Sequence, residues 1–184
     1  MNGNEVSEKA LKMYNERNNY AYLYGAKGEF GNEENISRII KTWNSYFKKY
    51  SKEEIEKIKN FCLGKTLFDC SGFVCEILGA PDYNSATIIA KCNGTKVSDW
   101  GLDGKGTPGT LFWKSGHIGI NRGDGTFLHM PTELHTIDVG KVSEYDWNVC
   151  GKWPDVEYSN NYSEIDYKKF YEEMSEIFNK YKEV

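Results

Sequence analysis

The stretch FDCSGFVCEILGA, residues 68–80, decides how the rest of the chain is interpreted. Its middle is almost entirely apolar or small, which predicts a short helix over Cys70–Leu78 that is buried on most of its faces. Gly79 and Pro81 close this helix, because glycine adopts the left-handed conformation of a helix end and proline cannot continue a helix. The segment therefore predicts a buried helix with a thiol at its first position.

Helical patterns dominate the chain before this segment. The expected elements are a helix over residues 4–18, a loop rich in glycine and aromatic residues over 20–32, a helical stripe over 33–50, and a third helix that a Ser51–Glu54 capping box opens and Gly64 ends.

The chain after residue 92 changes to short strands. A helix over residues 85–92 precedes them, and a last helix is predicted from Ser163 onward. The predicted strands are Thr110–Lys114, His117–Asn121, Thr126–Met130, His135–Val139 and Trp147–Trp153. Asp124-Gly125 between two of them predicts a hairpin turn. Helices, then an antiparallel sheet of about five strands, then one more helix make an α+β domain.

The composition excludes several classes of protein. The chain of 184 residues is 39% hydrophobic and suits one domain with one core. Its net charge is −4 and no group of Lys and Arg stands unbalanced by acid, so no nucleic-acid partner is expected. No run approaches the ~20 apolar residues of a membrane span, and the first residues lack the pattern of a signal peptide. We expect a protein made in the cytoplasm without a signal peptide.

Cys70 is the candidate nucleophile. A thiol at a helix N-terminus lies at the positive end of the helix dipole, which favours the thiolate, the attacking species. An isolated cysteine is more often a buried structural residue, because cysteine is among the most buried residue types. That interpretation suits the remaining cysteines, Cys62, Cys75, Cys92 and Cys150.

The histidines, His117, His129 and His135, all lie in the strand-rich half. His117 begins an alternating strand, so its side chain can face a cleft. A cysteine and a histidine distant in sequence are the expected form of a thiol–imidazole pair. The rival interpretation is a zinc site, yet no C-x₂₋₄-C, H-x₃₋₅-H or HExxH spacing is present. We therefore expect no metal and no cofactor.

Several motifs, in their order along the chain, resemble those of the NlpC-type, papain-like cell-wall cysteine peptidases. They are Tyr22-Leu23-Tyr24-Gly25-Ala26, Phe68-Asp69-Cys70-Ser71-Gly72-Phe73-Val74, Pro108-Gly109-Thr110-Leu111-Phe112-Trp113 with Gly116-His117-Ile118-Gly119-Ile120, and the polar His129 that follows. The resemblance spans roughly residues 20–153.

The resemblance implies a papain-like fold and a role for each matching residue. Cys70 would be the nucleophile, His117 its base and His129 the residue that orients the base. The implied oxyanion and cleft residues are Tyr22, whose hydroxyl would lie near the oxyanion, and Asp69 and Ser71, which would bind polar groups of the peptide. Plainer roles stay open for these three, with Tyr22 in the core and the other two capping the helix.

Two features depart from the family pattern. The Tyr22 segment lies unusually far before Cys70, because residues 32–64 form a helical insert similar to a variant in clostridial phage-type hydrolases. Thr110 stands where the family usually has Asp, and Asn121 where it usually has an aromatic residue. These changes bear on the shape and specificity of the cleft.

The resemblance also implies a function, peptidoglycan hydrolysis by a cysteine endopeptidase that cuts the stem peptide at the D-glutamyl–diamino acid bond. The alternatives are an amidase, a transacylase or a cross-bridge endopeptidase on the same scaffold, or a wall-binding module without activity. Residues 1–158 would form the peptidase domain, and residues 159–184 a C-terminal helix that docks on its own domain or contacts another module or chain. Action on the wall would follow release or delivery, in a phage, prophage or mobile-element setting.

The spacing of the histidines separates their expected roles. In a hairpin that turns at Asp124-Gly125, His117 falls near Pro131 or the next residue, and His129 lies about two positions away along the pair. His135 lies past Pro131, where the strand is expected to turn away. We therefore expect His129, not His135, to orient His117.

Overall fold

Residues 1–96 and 106–158 are described in the computed structural model of the protein. The helices are α1 (Gly3–Asn15), α2 (Glu33–Thr42), α3 (Asn44–Phe47), α4 (Lys52–Cys62), α5 (Cys70–Leu78) and α6 (Ser85–Lys91). The strands are β1 (Tyr20–Tyr22), β2 (Lys27–Phe30), β3 (Thr66–Phe68), β4 (Asn93–Lys96), β5 (Leu111–Lys114), β6 (His117–Asn121), β7 (Thr126–His129), β8 (Asp138–Lys141) and β9 (Val149–Lys152). The helix predicted from Ser163 lies outside the described residues. Within the two ranges, no helix combines the length and apolar character that crossing a membrane requires.

The larger sheet has the strand order β4-β9-β5-β6-β7-β8, and every neighbouring pair is antiparallel. With the helices before it, this sheet confirms the predicted α+β class. The sheet has a strand that the sequence did not predict, because Asn93-Gly94, a dipeptide that favours a turn, begins β4 directly after the helix expected over residues 85–92. There Gly94 pairs with Gly151 on β9, so the open edge of β9 outweighs the turn preference of the dipeptide.

Helix α5 packs against β6 in the centre of the molecule and has the predicted bounds, Cys70–Leu78. Its start is fixed by Asp69, whose Oδ1 accepts a hydrogen bond of 2.7 Å from the Gly72 backbone N–H. Its end is fixed by Gly79, which adopts the left-handed conformation at φ 64°. The apolar face of α5 therefore presents the thiol of its first residue toward the sheet.

A second, smaller sheet contradicts the predicted loop over residues 20–32. Strands β1 and β2 lie in that segment, and β3 joins them in the order β1-β3-β2, with β1 parallel and β2 antiparallel to β3. Strands of three or four residues are too short to show an alternating pattern, and the β2–β3 register is broken between Lys27 and Glu29. This sheet holds Tyr22 and Lys27 beside the start of α5.

The helical insert has its own core on the far side of the small sheet. The predicted stripe over residues 33–50 is divided at Trp43 into α2 and α3, and the predicted capping box of Ser51 and Glu54 opens α4. The buried side chains of this core are Ala21, Leu23, Ala26, Ile36, Ile39, Phe47, Ile58, Cys62 and Leu67. The insert is thus fastened to the strand that carries Tyr22.

Other predicted boundaries move by a few residues. Helix α1 ends at Asn15, and a 3-10 turn over Arg17–Asn19 takes the rest of the predicted helix. The hairpin between β6 and β7 turns over Gly123 to Gly125 rather than over two residues, since Arg122 N–H donates to the Thr126 carbonyl at 3.0 Å. Strand β8 starts at Asp138 and not at His135. The reason is that the backbone at 135 turns away, so that its carbonyl accepts the Tyr22 N–H at 2.9 Å.

Candidate active site

The thiol of Cys70 lies against the backbone on both sides of His117. Its Sγ donates to the Gly116 carbonyl over 3.8 Å, and the Ile118 backbone N–H points back at the sulfur. Because Cys70 opens α5 and His117 opens β6, the packing of this helix on this strand brings together two residues far apart in sequence.

His117 is hydrogen-bonded to His129. The two atoms His117 Nε2 and His129 Nδ1 are 2.7 Å apart, and the rings meet edge to face at 75°. The ladder pairs Ile120 with Leu128, which puts His129 opposite Gly119, and there a Cβ on the glycine would lie 3.4 Å from the His129 Cβ. With Nε2 committed to His129, the Nδ1 of His117 is the nitrogen left for a thiol proton.

His135 makes other contacts. Its Nδ1 lies 3.0 Å from the Glu133 carbonyl in its own loop, and its backbone carbonyl binds β1. The structure thus pairs His117 with His129, while His135 is turned toward the loop between β7 and β8.

Burial sets the protonation of both paired imidazoles. Burial, followed by the charge of Lys114, lowers the pKa of His117 to about 4. Burial, followed by the charge of His117, lowers the pKa of His129 to about 3. Both rings are therefore neutral near pH 7, so that one ring nitrogen can donate and the other accept in the short bond between them.

Several groups act in opposite directions on the pKa of the Cys70 thiol. Burial is the largest and raises the pKa of Cys70, and the charge of Asp69 raises it further. The Ile118 N–H, the ammonium of Lys27 and the Ser71 N–H lower it. The helix dipole is therefore one of several influences on the pKa of the thiol, and desolvation outweighs the groups that favour the thiolate.

An aromatic wall covers one side of the histidine pair. The indole of Trp147 stacks on the His117 ring at 5.7 Å and 11°, while Phe127 and Tyr145 contact His129 at centroid distances of 4.9 and 5.4 Å. Trp147 lies just before β9, and nothing in its sequence neighbourhood points to the site. Stacking restricts the imidazole to one plane, which suits a base that has to keep a fixed direction.

Tyr22 lies in the same buried cluster as Cys70 and is 6% exposed. Burial, together with the charges of Cys70, Tyr46 and Glu133, raises the pKa of the Tyr22 phenol far above its ordinary value. The hydroxyl therefore keeps its proton and is available as a donor.

Asp69 and Ser71 are placed at the start of α5, but their polar atoms already have partners. The carboxylate of Asp69 accepts from Gly72 N–H, from the Ser71 hydroxyl at 2.7 Å and from Gly25 N–H at 3.2 Å. Its fourth partner is the ammonium of Lys27 at 3.0 Å, which also binds the Ser71 hydroxyl. Their capping role is thus visible, and contact with a substrate would need one of these bonds to open.

The two departures from the family motif contact each other. The Asn121 amide donates to the Thr110 hydroxyl and to the Thr107 carbonyl, both at 3.2 Å, and both side chains are fully buried. Its Oδ1 accepts the Gly123 N–H at 2.8 Å. Thr110 and Asn121 therefore form a polar bridge between the turn before β5 and the end of β6.

Glu133 is a buried carboxylate that sequence reasoning missed. Its Oε2 accepts from the hydroxyls of Tyr46, Tyr50 and Thr132 at 3.0, 2.8 and 3.0 Å. Two of these donors come from the helical insert, so Glu133 fastens the insert to the loop that follows His129. The other oxygen, Oε1, is buried without a partner among the described residues. The three bonds to Oε2 therefore offset the free-energy cost of burying the carboxylate charge.

Replacing Glu133 with alanine is expected to lower the free energy of unfolding by about 2 kcal/mol, because two tyrosine hydroxyls lose their acceptor. Glu133→Gln keeps an acceptor oxygen and should lose less. Urea denaturation of the two variants and of Tyr50→Phe measures the difference. Unchanged midpoints for Glu133→Ala would show that the insert is held by its apolar core alone.

Across residues 1–96 and 106–158, no group of three or more His, Cys, Asp and Glu side chains could hold a metal ion. Cys62, Cys75 and Cys92 direct their thiols at backbone carbonyls, those of Tyr22, Tyr83 and Ile88, as structural cysteines do.

No family profile matches the chain, and no curated protein matches it. Among solved structures, the chain is similar to the NlpC/p60 domain of the peptidoglycan hydrolase SagA, with 19% identity and a TM-score of 0.46 over 83% of this chain and 99% of that one. It is also similar to NlpC2 from Trichomonas vaginalis, with 14% identity and a TM-score of 0.47 over 87% of this chain and 49% of that one. Both of these solved structures are of NlpC-type proteins.

Proposed function

We propose that the chain is a peptidoglycan hydrolase, a cysteine endopeptidase that cuts the stem peptide through Cys70, His117 and His129. The observation that carries the proposal is the thiol at the start of α5, set against both backbone neighbours of an imidazole that is itself bound at 2.7 Å to a second imidazole. A nucleophile, a base and a residue that orients the base are the three parts that acyl transfer requires.

The reaction follows from the protonation states. Because thiol and imidazole are both neutral at rest, the proton passes from Sγ to His117 Nδ1 as the sulfur attacks the peptide carbonyl. His117 donates its Nε2–H to His129 Nδ1, and this bond stabilises the imidazolium that forms. The Cys70 N–H at the helix start and the protonated Tyr22 hydroxyl are the candidate donors to the oxyanion.

Collapse of the tetrahedral intermediate breaks the C–N bond, and His117 gives its proton to the leaving amine. Water then attacks the thioester while His117 takes a proton from it. The C–S bond breaks, the acid leaves, and the proton returns to the sulfur. Each cycle consumes one peptide bond and one water and needs no cofactor.

The substrate class rests on the motifs that resemble those of NlpC-type peptidases, which favour the D-glutamyl–diamino acid bond. Residues 1–158 are proposed as the catalytic unit, with 32–64 as an insert beside the cleft. A phage, prophage or mobile-element setting, with delivery to the cell wall, is proposed on the same resemblance.

Digestion of purified cell walls should release soluble peptides that carry a new amino group on the diamino acid and a new D-glutamyl carboxyl. Mass spectrometry of the fragments identifies the bond. Glycan strands without attached peptide would indicate an amidase, and cuts confined to the cross-bridge would indicate a cross-bridge endopeptidase. Walls that bind the protein and yield no fragments would contradict the proposal and leave a binding module.

A further inference from the structure

Lys27 places an ammonium next to the helix start that carries the thiol. Its Nζ lies 3.0 Å from Asp69 Oδ1 and 3.2 Å from the Tyr83 carbonyl, and it also donates to the Ser71 hydroxyl. The side chains of Lys27 and Asp69 are 19% and 12% exposed. A lysine drawn this far from water, in contact with both residues that flank Cys70, is not an ordinary surface charge.

Asp69 has two opposite effects on the site. Its carboxylate caps α5 through Gly72 N–H and holds the β1–β2 connection through Gly25 N–H, which fixes the direction of the helix. The same negative charge stands beside the thiol, where it opposes formation of the thiolate and cancels part of the helix dipole. The Asp69 carboxylate therefore fixes the start of α5 but disfavours the Cys70 thiolate.

We propose that Lys27 is a positioning residue that resolves this conflict, because its ammonium holds the Asp69 carboxylate in the cap and offsets its charge beside Cys70. The proposal rests on the proposed role of Cys70 as the nucleophile. Lys27 itself does not reach the reacting atoms and acts through Asp69 and Ser71. In the sequence, Lys27 directly follows the Tyr22–Ala26 motif. It begins the short strand β2, which packs against α5.

The remaining titratable groups around the thiol do not replace Lys27. They are Tyr22 on β1, with Glu133 behind it, and His117 on β6. Tyr22 and His117 are uncharged near neutral pH, and Glu133 is an acid. Among the described residues that act on the thiol by charge, Lys27 is the cation, and Asp69 is the anion next to it.

The test is the pH dependence of Cys70 alkylation, which needs no peptidoglycan. Iodoacetamide is added to the full chain at a series of pH values, and the tryptic peptide carrying Cys70 is quantified by mass spectrometry, so that the other thiols do not interfere. Lys27→Met should move the midpoint of the rate profile up by about one pH unit, because an opposite charge close to an ionising group is removed. Asp69→Asn, which keeps a good helix cap, should move it down by about one unit.

The double variant Lys27→Met/Asp69→Asn should return close to the wild-type midpoint, and Lys27→Arg should keep it. Lys59→Met is the matched control, because Lys59 pairs at 2.6 Å with Glu56 on the exposed side of α4. The opposite signs separate charge compensation from a merely structural role, which would disturb the site in the same direction in both single variants. If Lys27→Met does not fold, Asp69→Asn and the double variant still give the comparison.

Equal midpoints for wild type and Lys27→Met, or shifts of the same sign in the two single variants, would overturn the proposal. Because the readout is alkylation, it can fail while cell-wall cleavage is found. It can also succeed where cleavage is not found, so the two proposals are judged separately.

Discussion

Cys70→Ala should release no detectable fragments from purified cell walls. In the proposed mechanism the thiol forms the covalent intermediate, and loss of the nucleophile in a catalytic triad lowers turnover by on the order of 10⁶. The fold should survive, because the side chain opens α5 and its replacement by a methyl group leaves the Asp69 cap and the Gly79 end intact. Fragment release is measured by mass spectrometry and folding by thermal denaturation.

Cys75→Ser is the matched control for this loss. Cys75 lies on the same helix, is also buried, and directs its thiol at the Tyr83 carbonyl over 3.7 Å. A serine hydroxyl can make the same bond, so activity should remain and stability should fall by at most about 1–2 kcal/mol. Full activity in Cys70→Ala, or its loss in a folded Cys75→Ser, would assign the chemistry to a different group.

His129→Ala should lower turnover by on the order of 10³ to 10⁴, because His117 loses the partner that fixes its tautomer and stabilises its protonated form. The variant should also lose some stability, since His129 is 1% exposed and contacts Phe127 and Tyr145. Steady-state rates on a soluble stem peptide should show the loss in kcat rather than in KM, because in the proposed mechanism the buried ring stabilises the imidazolium that forms in the transition state.

Two further variants separate orientation from packing. His129→Asn offers an amide to His117 and should recover part of the rate, as the asparagine of other thiol peptidases holds this position. His135→Ala should turn over within a few-fold of wild type, because its ring binds the Glu133 carbonyl in its own loop. Equal rates for wild type and His129→Ala at equal stability would remove His129 from the site.

The elements that the sequence predicts well are those whose signals are local. Helix α5 carries both its cap and its terminating glycine within one stretch, and α4 carries its capping box. The hairpin of β6 and β7 has a turn and alternating flanks close together, so the neighbourhood of His117 and His129 follows from counting residues. The extra turn residue shifts the register by one, so that His129 lies opposite Gly119, two positions from His117, and the two histidines remain neighbours.

The features that escaped the sequence depend on distant partners. The small sheet joins β1 and β2 to β3 across the whole helical insert, so no window of sequence contains the pairing. Lys27 meets Asp69 from 42 positions away, and Tyr46 meets Glu133 from 87. Neither Lys27, in a glycine-rich segment, nor Trp147, before a strand, lies in a local sequence pattern that would predict its place near the site.

The pairing of Cys70 with catalysis is tested most directly by following alkylation and activity in the same sample. Wild-type protein is treated with limiting iodoacetamide at neutral pH, and at each time point the Cys70 peptide is quantified and wall-fragment release is measured. We expect activity to fall in proportion to modification of Cys70 and to reach zero when that thiol is fully modified, whatever the state of the other cysteines. Protein that is fully alkylated at Cys70 and still releases stem-peptide fragments would contradict it.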